Sequence, residues 1–406
     1  MWAKPTAGLS NLGRSSMLNR NRFAIRAVLA LSLLAPACDS SPPAKAEQAL
    51  VASANPHADI VWYGKNYTWR REARISHDPI VEEPIDGTAE SPTAPQTPED
   101  LAEALRPILL LNGQEYILAE PDVATATAIL AGFVAPQTQP RRPPDPAMPS
   151  ASSDQIESRT SAQIIGGDGR LYLSTLRVNY PFSTNAHYQL LNGSWCTATI
   201  IGPHTAATAA HCVMSTSGYY FGDVFGGNAC NGPQDCTAYA CNNHVCGAGF
   251  APAFDSASPS TPYGTFVPTG VSVPSGWVGG NYSYDYAMLT FSTTFPGWIG
   301  TYDTSTGTQE MAGYPQDKDA GHEMWYKSGT VTATTSTRRQ HNLDTMHGDS
   351  GAALFWTDTS TGNYYLTGIN STENHSCFFW SCSYWNEASR WNSTTYAFFS
   401  AGGTWP

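Results

Sequence analysis

The sequence predicts an all-β domain over residues 164–406, and three observations predict it. Charged residues make up only 13% of the chain while Gly, Pro, Thr, Ser and Tyr abound, which is the balance of a β-rich secreted protein rather than of a cytosolic helical one. Short apolar runs (Trp195 to Ile201, Tyr286 to Phe291, Ala352 to Trp356, Tyr364 to Ile369) are bounded by Gly, Pro, Asn and Asp, as strands are. No long helix-period stretch stands out after Ile164. Short strands punctuated by turns read as a barrel or sandwich, and about 240 residues is ample for two small barrels sharing a cleft.

The elements before Ile164 differ in texture. Arg20, Arg22 and Arg26 precede an apolar run to Ala35 and then Pro36-Ala37-Cys38, so residues 1–38 read as a signal peptide, too short for a membrane span. Cys38 leaves a second possibility, a lipoprotein cleavage site with a lipid anchor on that cysteine. Residues 39–163 read as a cysteine-free propeptide, or alternatively a stalk. Its Pro/Thr/Ser-rich stretches, Glu90 to Pro98 and Pro136 to Ser153, bury too little apolar surface to fold and read as partly disordered linkers. Pro98 to Arg106, with Glu99 and Asp100 at its front, reads as a helix start; Leu109 to Val134 reads as a small folded unit of its own. The net charge of −12 argues against nucleic acid as a partner.

The chemistry is concentrated in three motifs. In His347-Gly348-Asp349-Ser350-Gly351, a serine sits in a glycine-flanked turn. Gly348 lets the backbone swing so that its N–H points beside that of Ser350. Such a donor pair contributes ~3–4 kcal/mol per donor to a tetrahedral oxyanion. Ser350 needs a base, and His211 at the end of the small apolar run Thr205 to Ala210 is the candidate, ahead of His204 and His347. Asp285, followed by the apolar Tyr286 to Leu289, is the candidate to orient that imidazole, ahead of Asp255 and Asp303.

Cysteine usage fits an oxidising compartment. Beyond Cys38 there are eight: Cys196, Cys212, Cys230, Cys236, Cys241, Cys246, Cys377 and Cys382. An even set reads as four disulfides. A Cys196–Cys212 bridge would bracket the histidine strand and contribute ~3 kcal/mol in the chain-entropy view. Zinc is the rival reading for the four between Cys230 and Cys246, but they contain no Cys-x-x-Cys pair, and no metal or other cofactor is expected. The pairing among those four stays open.

These residues carry a resemblance. The order His211, Asp285, Ser350 is that of the chymotrypsin-type triad. Ile164-Ile-Gly-Gly-Asp-Gly-Arg170, Thr208-Ala-Ala-His-Cys212, Pro274-Ser-Gly-Trp277, Gly313-Tyr-Pro-Gln-Asp-Lys318 and Leu343-Asp-Thr345 resemble the bacterial glutamyl endopeptidases, over essentially all of 164–406. The resemblance implies two antiparallel six-stranded β-barrels with the active site between them. It also implies a secreted serine endopeptidase made as a zymogen and acting on proteins or peptides through an acyl-enzyme; a monomer is expected. It implies a pocket lined by Asp344, Thr345 and Asn370, and a cut before Ile164 whose new ammonium could pair with Asp349. Asn370 stands where relatives that cleave after Glu place a histidine, so Glu or Asp preference does not follow. The stretch from Tyr219 to Pro262 reads as an insertion, either a stapled surface loop or a lid. The alternative overall reading is a catalytically silent protease-fold binding protein of the cell envelope.

Overall fold

The computed structural model describes residues 57–76, 80, 85–86, 95–143, 157–160, 167–170, 180–190, 193–221, 240–242, 245–247, 249–254, 261–304, 307–378, 381–402 and 405. The signal segment, Cys38, Ile164, Cys230 and Cys236 lie outside them.

Two large sheets carry the described chain. The first runs, edge to edge, Ile60–Trp62, Lys65–Glu72, Gln114–Leu118, Pro107–Leu111, Gly270–Pro274, Ala287–Thr290, Thr205–Thr208, Trp195–Gly202, Asn185–Gln189 and Gly249–Pro252. An antiparallel bridge between Phe250 and Phe266 returns the chain entering Gly270–Pro274 to the far edge. The second contains a closed ring of six antiparallel strands: Thr308–Gly313, Ala353–Asp358, Asn363–Phe378, Ser381–Arg390, Arg338–His341 and Trp325–Thr334, the last pairing back onto the first. All four residues of Thr205–Thr208 are buried, and their small side chains let the strand lie tightly between its neighbours.

The leader departs from its sequence reading. Pro107–Leu111 is buried at every position and pairs with Gly270–Pro274 of the following domain, Leu110 opposite Val271. Its leucines divide: Leu109 and Leu111 pack with Trp62, Tyr67, Tyr116 and Leu118 in a small core of the leader's own, while Ile108 and Leu110 join the core of the later chain. A run buried on both faces reads as a continuous apolar string rather than an alternation, and here one face meets the leader's own core and the other that of the later chain. The helix at Pro98–Leu105 forms with Thr97 capping Asp100 N–H and proline in its first turn, as the capping pattern requires.

Two further elements escape the sequence pattern. Ser393–Ala401 is a helix, capped by Asn392 on the N–H groups of Thr394 and Thr395. Its Ser-Thr-Thr start has modest helix propensity. Packing decides: Phe398 and Phe399 are fully buried and lie 5.3 and 6.3 Å from the Tyr286 ring. Gly249–Pro252, inside the stretch read as an insertion, is a strand of the first sheet with Phe250 in the core.

One disulfide, Cys196–Cys212, is described. Backbone register sets Cys241 opposite Cys246 and Cys377 opposite Cys382. Among the described residues, no helix is long and apolar enough to cross a membrane.

Candidate active site

His211 sits on a short helical turn, Ala210–Cys212, directly after the buried strand Thr205–Thr208. Asp285 follows a turn at Tyr282–Tyr284 and precedes the partner strand Ala287–Thr290. Because Thr208 pairs with Ala287, both side chains emerge at the same end of the first sheet. The Cys196–Cys212 bridge ties the histidine turn to the neighbouring strand.

The contacts between the two are short. His211 Nδ1 lies 2.7 Å from Asp285 Oδ2, and His211 N–H donates to Asp285 Oδ1 at 2.9 Å. The Ser371 hydroxyl donates to the same Oδ2, and Ser389 Oγ donates to the Asp285 carbonyl at 2.8 Å. The carboxylate is fully buried. Burial alone would raise its pKa, but the His211 charge and hydrogen bonds, with that of Ser371, outweigh burial and lower it. An ionised carboxylate only accepts, so Nδ1 carries the proton and Nε2 of the neutral ring is left as the basic nitrogen.

Ser350 lies on a turn between Arg338–His341 and Ala353–Asp358, on the closed ring. Gly348 has φ +94°, and a Cβ there would lie 2.2 Å from the Tyr314 carbonyl oxygen. Glycine is therefore required by both conformation and space. The turn is laced to the first sheet: Thr197 N–H donates to the Ser350 carbonyl, Thr197 Oγ1 to the Gly348 carbonyl, and Thr208 Oγ1 to the Thr197 carbonyl. At Gly351, a Cβ would meet Thr208 Oγ1 at 2.1 Å and Ala209 N at 3.0 Å. The serine turn thus packs directly on the residues leading into His211. Gly351 N–H also donates to the Asn370 carbonyl, one residue before Ser371.

The remaining sequence candidates separate clearly. Asp303 pairs instead with Arg339 and Arg390. His204 is half-buried, with Nδ1 3.0 Å from the Thr293 carbonyl oxygen. Asp344 and Thr345 are buried just before the turn, Asp344 Oδ2 being 3.9 Å from Lys318 Nζ. Asn370 Oδ1 is 3.2 Å from His341 Nε2, and its amide donates to the Asp349 carbonyl at 3.2 Å. Asp349 pairs with Lys327. Cys196, His211 and Cys212 form the single cluster of potential metal donors among the described residues. Both its sulfurs are in the disulfide, so it offers no thiolate ligand. Ser371, His341 and Lys327 were not singled out from the sequence. A lone Ser, His or Lys in a strand carries no motif, and only pairing across the sheets reveals it.

The structure thus brings an imidazole–carboxylate pair at the end of one antiparallel sheet against a Gly-Asp-Ser-Gly turn of a closed barrel, the parts from which a chymotrypsin-type triad is assembled. No family model matches the chain. It is 32% identical over 208 residues to the glutamyl endopeptidase of Bacillus licheniformis, a match covering 49% of this chain and 57% of that protein. It is 23% identical over 227 residues to an extracellular metalloprotease of Bacillus subtilis, covering 51% and 62%. A solved Glu endopeptidase in complex with MPD is 21% identical with a TM-score of 0.44, covering 58% of this chain and 96% of that one. The chain thus spans little more than half the length of the curated relatives it matches.

Proposed function

We propose that residues 164–406 are a secreted serine endopeptidase and that residues 39–163 are its propeptide. The carrying observation is the 2.7 Å contact between His211 Nδ1 and the buried Asp285 carboxylate, on residues packed against the Ser350 turn. In this reading His211 Nε2 takes the Ser350 proton as the hydroxyl attacks a peptide carbonyl. The N–H groups of Gly348 and Ser350 hold the oxyanion. The imidazolium then protonates the leaving amine, and water releases the acyl group by the reverse route. Asp285 stabilises the imidazolium throughout.

Contacts of the leader on the domain support its assignment as a propeptide. Ile75–Ser76 pairs in parallel with Tyr220–Phe221, Ile80 N–H donates to Ser194 Oγ, and Ile85–Asp86 pairs in parallel with Asn374–His375. Ser194 adjoins Trp195, whose indole donates to the Tyr314 carbonyl beneath Gly348. Asn374 lies three residues beyond Ser371. The leader therefore anchors on both flanks of the site, as a segment that keeps a precursor silent would. Opposed residues of antiparallel strands lie about 4.5–5.5 Å apart at Cα, within disulfide reach. The register thus favours bridges Cys241–Cys246 and Cys377–Cys382, leaving Cys230 for Cys236. Location outside the cell, free or through lipid on Cys38, belongs to the same proposal.

The test is a fluorophosphonate probe on processed enzyme, with peptide-library cleavage beside it. Covalent capture at Ser350, lost together with all cleavage in Ser350→Ala, is expected. A folded protein that neither labels nor cleaves is the silent binding protein instead. The library profile also reads side-chain preference, where the neutral Asn370 amide stands in the pocket.

A further inference from the structure

We propose that Lys327 is a positioning residue for the serine turn: its ammonium supplies, from within the fold, the counter-charge that Asp349 needs, so a competent site does not depend on a new ammonium at Ile164. The proposal rests on the serine endopeptidase reading above.

Asp349 directly precedes Ser350 and is fully buried. Its Oδ2 is held by Lys327 Nζ and accepts the Met346 N–H at 3.1 Å. Its own N–H donates to the Met346 carbonyl, and its carbonyl accepts the Asn370 amide. The side chain therefore pins both ends of the turn that aims the Gly348 and Ser350 N–H groups. Gly313 leaves room for it: a Cβ there would lie 2.4 Å from Asp349 Oδ1. Lys327 reaches in from Trp325–Thr334, paired with Met311 two residues before Gly313.

Both charges are out of water, with side chains 2% and 0% exposed. A buried carboxylate without its partner is strongly unfavourable, so each group fixes the other. A second ammonium brought to the same carboxylate would face Lys327 at close range, and like charges there oppose one another. The role that a freshly cut N-terminus could play is already filled by a side chain of the closed barrel.

The experiment uses full-length protein, processed and then titrated with fluorophosphonate. Wild-type labelling at Ser350 comes first and tests the endopeptidase reading on its own. Four proteins are then compared by kcat and KM on one peptide: wild type, Lys327→Met, Lys327→Met/Asp349→Asn and Ile164→Gly. We expect Lys327→Met to lose about a hundredfold in kcat with KM within threefold, because oxyanion donors act on the transition state. The double variant, with no stranded carboxylate, recovers at least tenfold of that loss, and Ile164→Gly stays within threefold of wild type. Should Lys327→Met fail to fold, the double variant and Ile164→Gly still decide. A hundredfold loss in Ile164→Gly, or a fully active Lys327→Met, overturns the proposal while leaving the Ser350 label intact.

Discussion

The two sheets solve the same problem in opposite ways. The closed ring satisfies its own strand edges and carries polar groups inside: Lys327 with Asp349, Arg339 with Asp303, His341 with Asn370. The first sheet is lined by small and apolar residues, and Gly270–Pro274 is covered by Pro107–Leu111 of the leader. Its core cluster includes Leu101, Leu105, Ile108 and Leu110 together with Val271, Met288 and Phe398. A closed barrel has no edge to protect, whereas an open one needs a partner strand. The nucleophile therefore sits on a half whose ring closes on itself, with leader strands added only outside that ring, and the base on a half where a leader strand pairs directly with Gly270–Pro274.

Asp285 is where the halves meet. It belongs to the first sheet's chain, yet Ser371 and Ser389 of the second bond its carboxylate and carbonyl. The largest expected effect lies here. Asp285→Asn keeps the shape but offers an amide N–H where an acceptor is required, stabilising the wrong imidazole tautomer. A fall in kcat of about 10⁴ is expected, as in comparable triads. A loss below tenfold, measured at saturating peptide with the fold verified by circular dichroism, would break the link drawn between the halves.

Next in size is the shared core. Leu110 is fully buried opposite Val271. Leu110→Arg places an unpaired guanidinium there and should destabilise the full chain by about 3–5 kcal/mol, read as a lower urea midpoint. The comparison predicts more: wild-type leader should stay bound after the cut before Ile164 and co-elute with the enzyme, whereas the Leu110→Arg leader should separate. A wild-type leader that leaves freely on gel filtration would show that the first half is complete without it.

Acid tests both halves with one histidine each. Burial pushes His187 of the first sheet down to about 3, the His322 charge adding to it. Burial likewise takes His341 of the ring to about 3, the Asn370 hydrogen bond opposing it and the Lys327 and Arg338 charges assisting. Unfolded histidine titrates near 6.5. Between those values the unfolded chain binds protons that the folded chain does not, so stability is full above pH 6.5 and falls as pH drops toward 3. Each ring contributes a slope of at most about 1.4 kcal/mol per pH unit. Urea midpoints from pH 7 to 4 should fall accordingly, and His187→Gln should flatten the decline by about half. An unchanged slope would show His187 to be protonated in place.

Much of the site was legible because its chemistry is local. The Gly-Asp-Ser-Gly turn, the histidine after a run of small residues and the aspartate opening an apolar strand each announce a backbone geometry as well as a reactive group. Two strands of the closed ring, read at Ala352 to Trp356 and Tyr364 to Ile369, were legible as apolar runs between turn residues. What sequence reasoning missed is non-local. The leucines of Pro107–Leu111 look the same whether they face their own small core or another domain's edge. Phe250 follows closely on four cysteines, Cys230 to Cys246, and read as part of the same surface loop. Ser371 and Lys327 act only through partners 86 and 22 residues away, a separation no motif spans.

The smallest effect separates two roles that Ser371 could have. If it only fills space beside Asp285, Ser371→Ala leaves catalysis alone. If its hydroxyl helps hold the carboxylate ionised and aimed at His211, removal takes away one charge-assisted hydrogen bond, worth about 1.5–3 kcal/mol. Two bonds from His211 remain, so the carboxylate keeps its place and part of that loss is absorbed. A fall in kcat of about tenfold is expected, with the acid limb of kcat against pH moving upward as Asp285 loses a donor that lowers its pKa. Ser389→Ala, which touches the Asp285 carbonyl and not its carboxylate, should shift that limb less. Equal shifts in the two variants would mean that the second barrel positions Asp285 through its backbone alone.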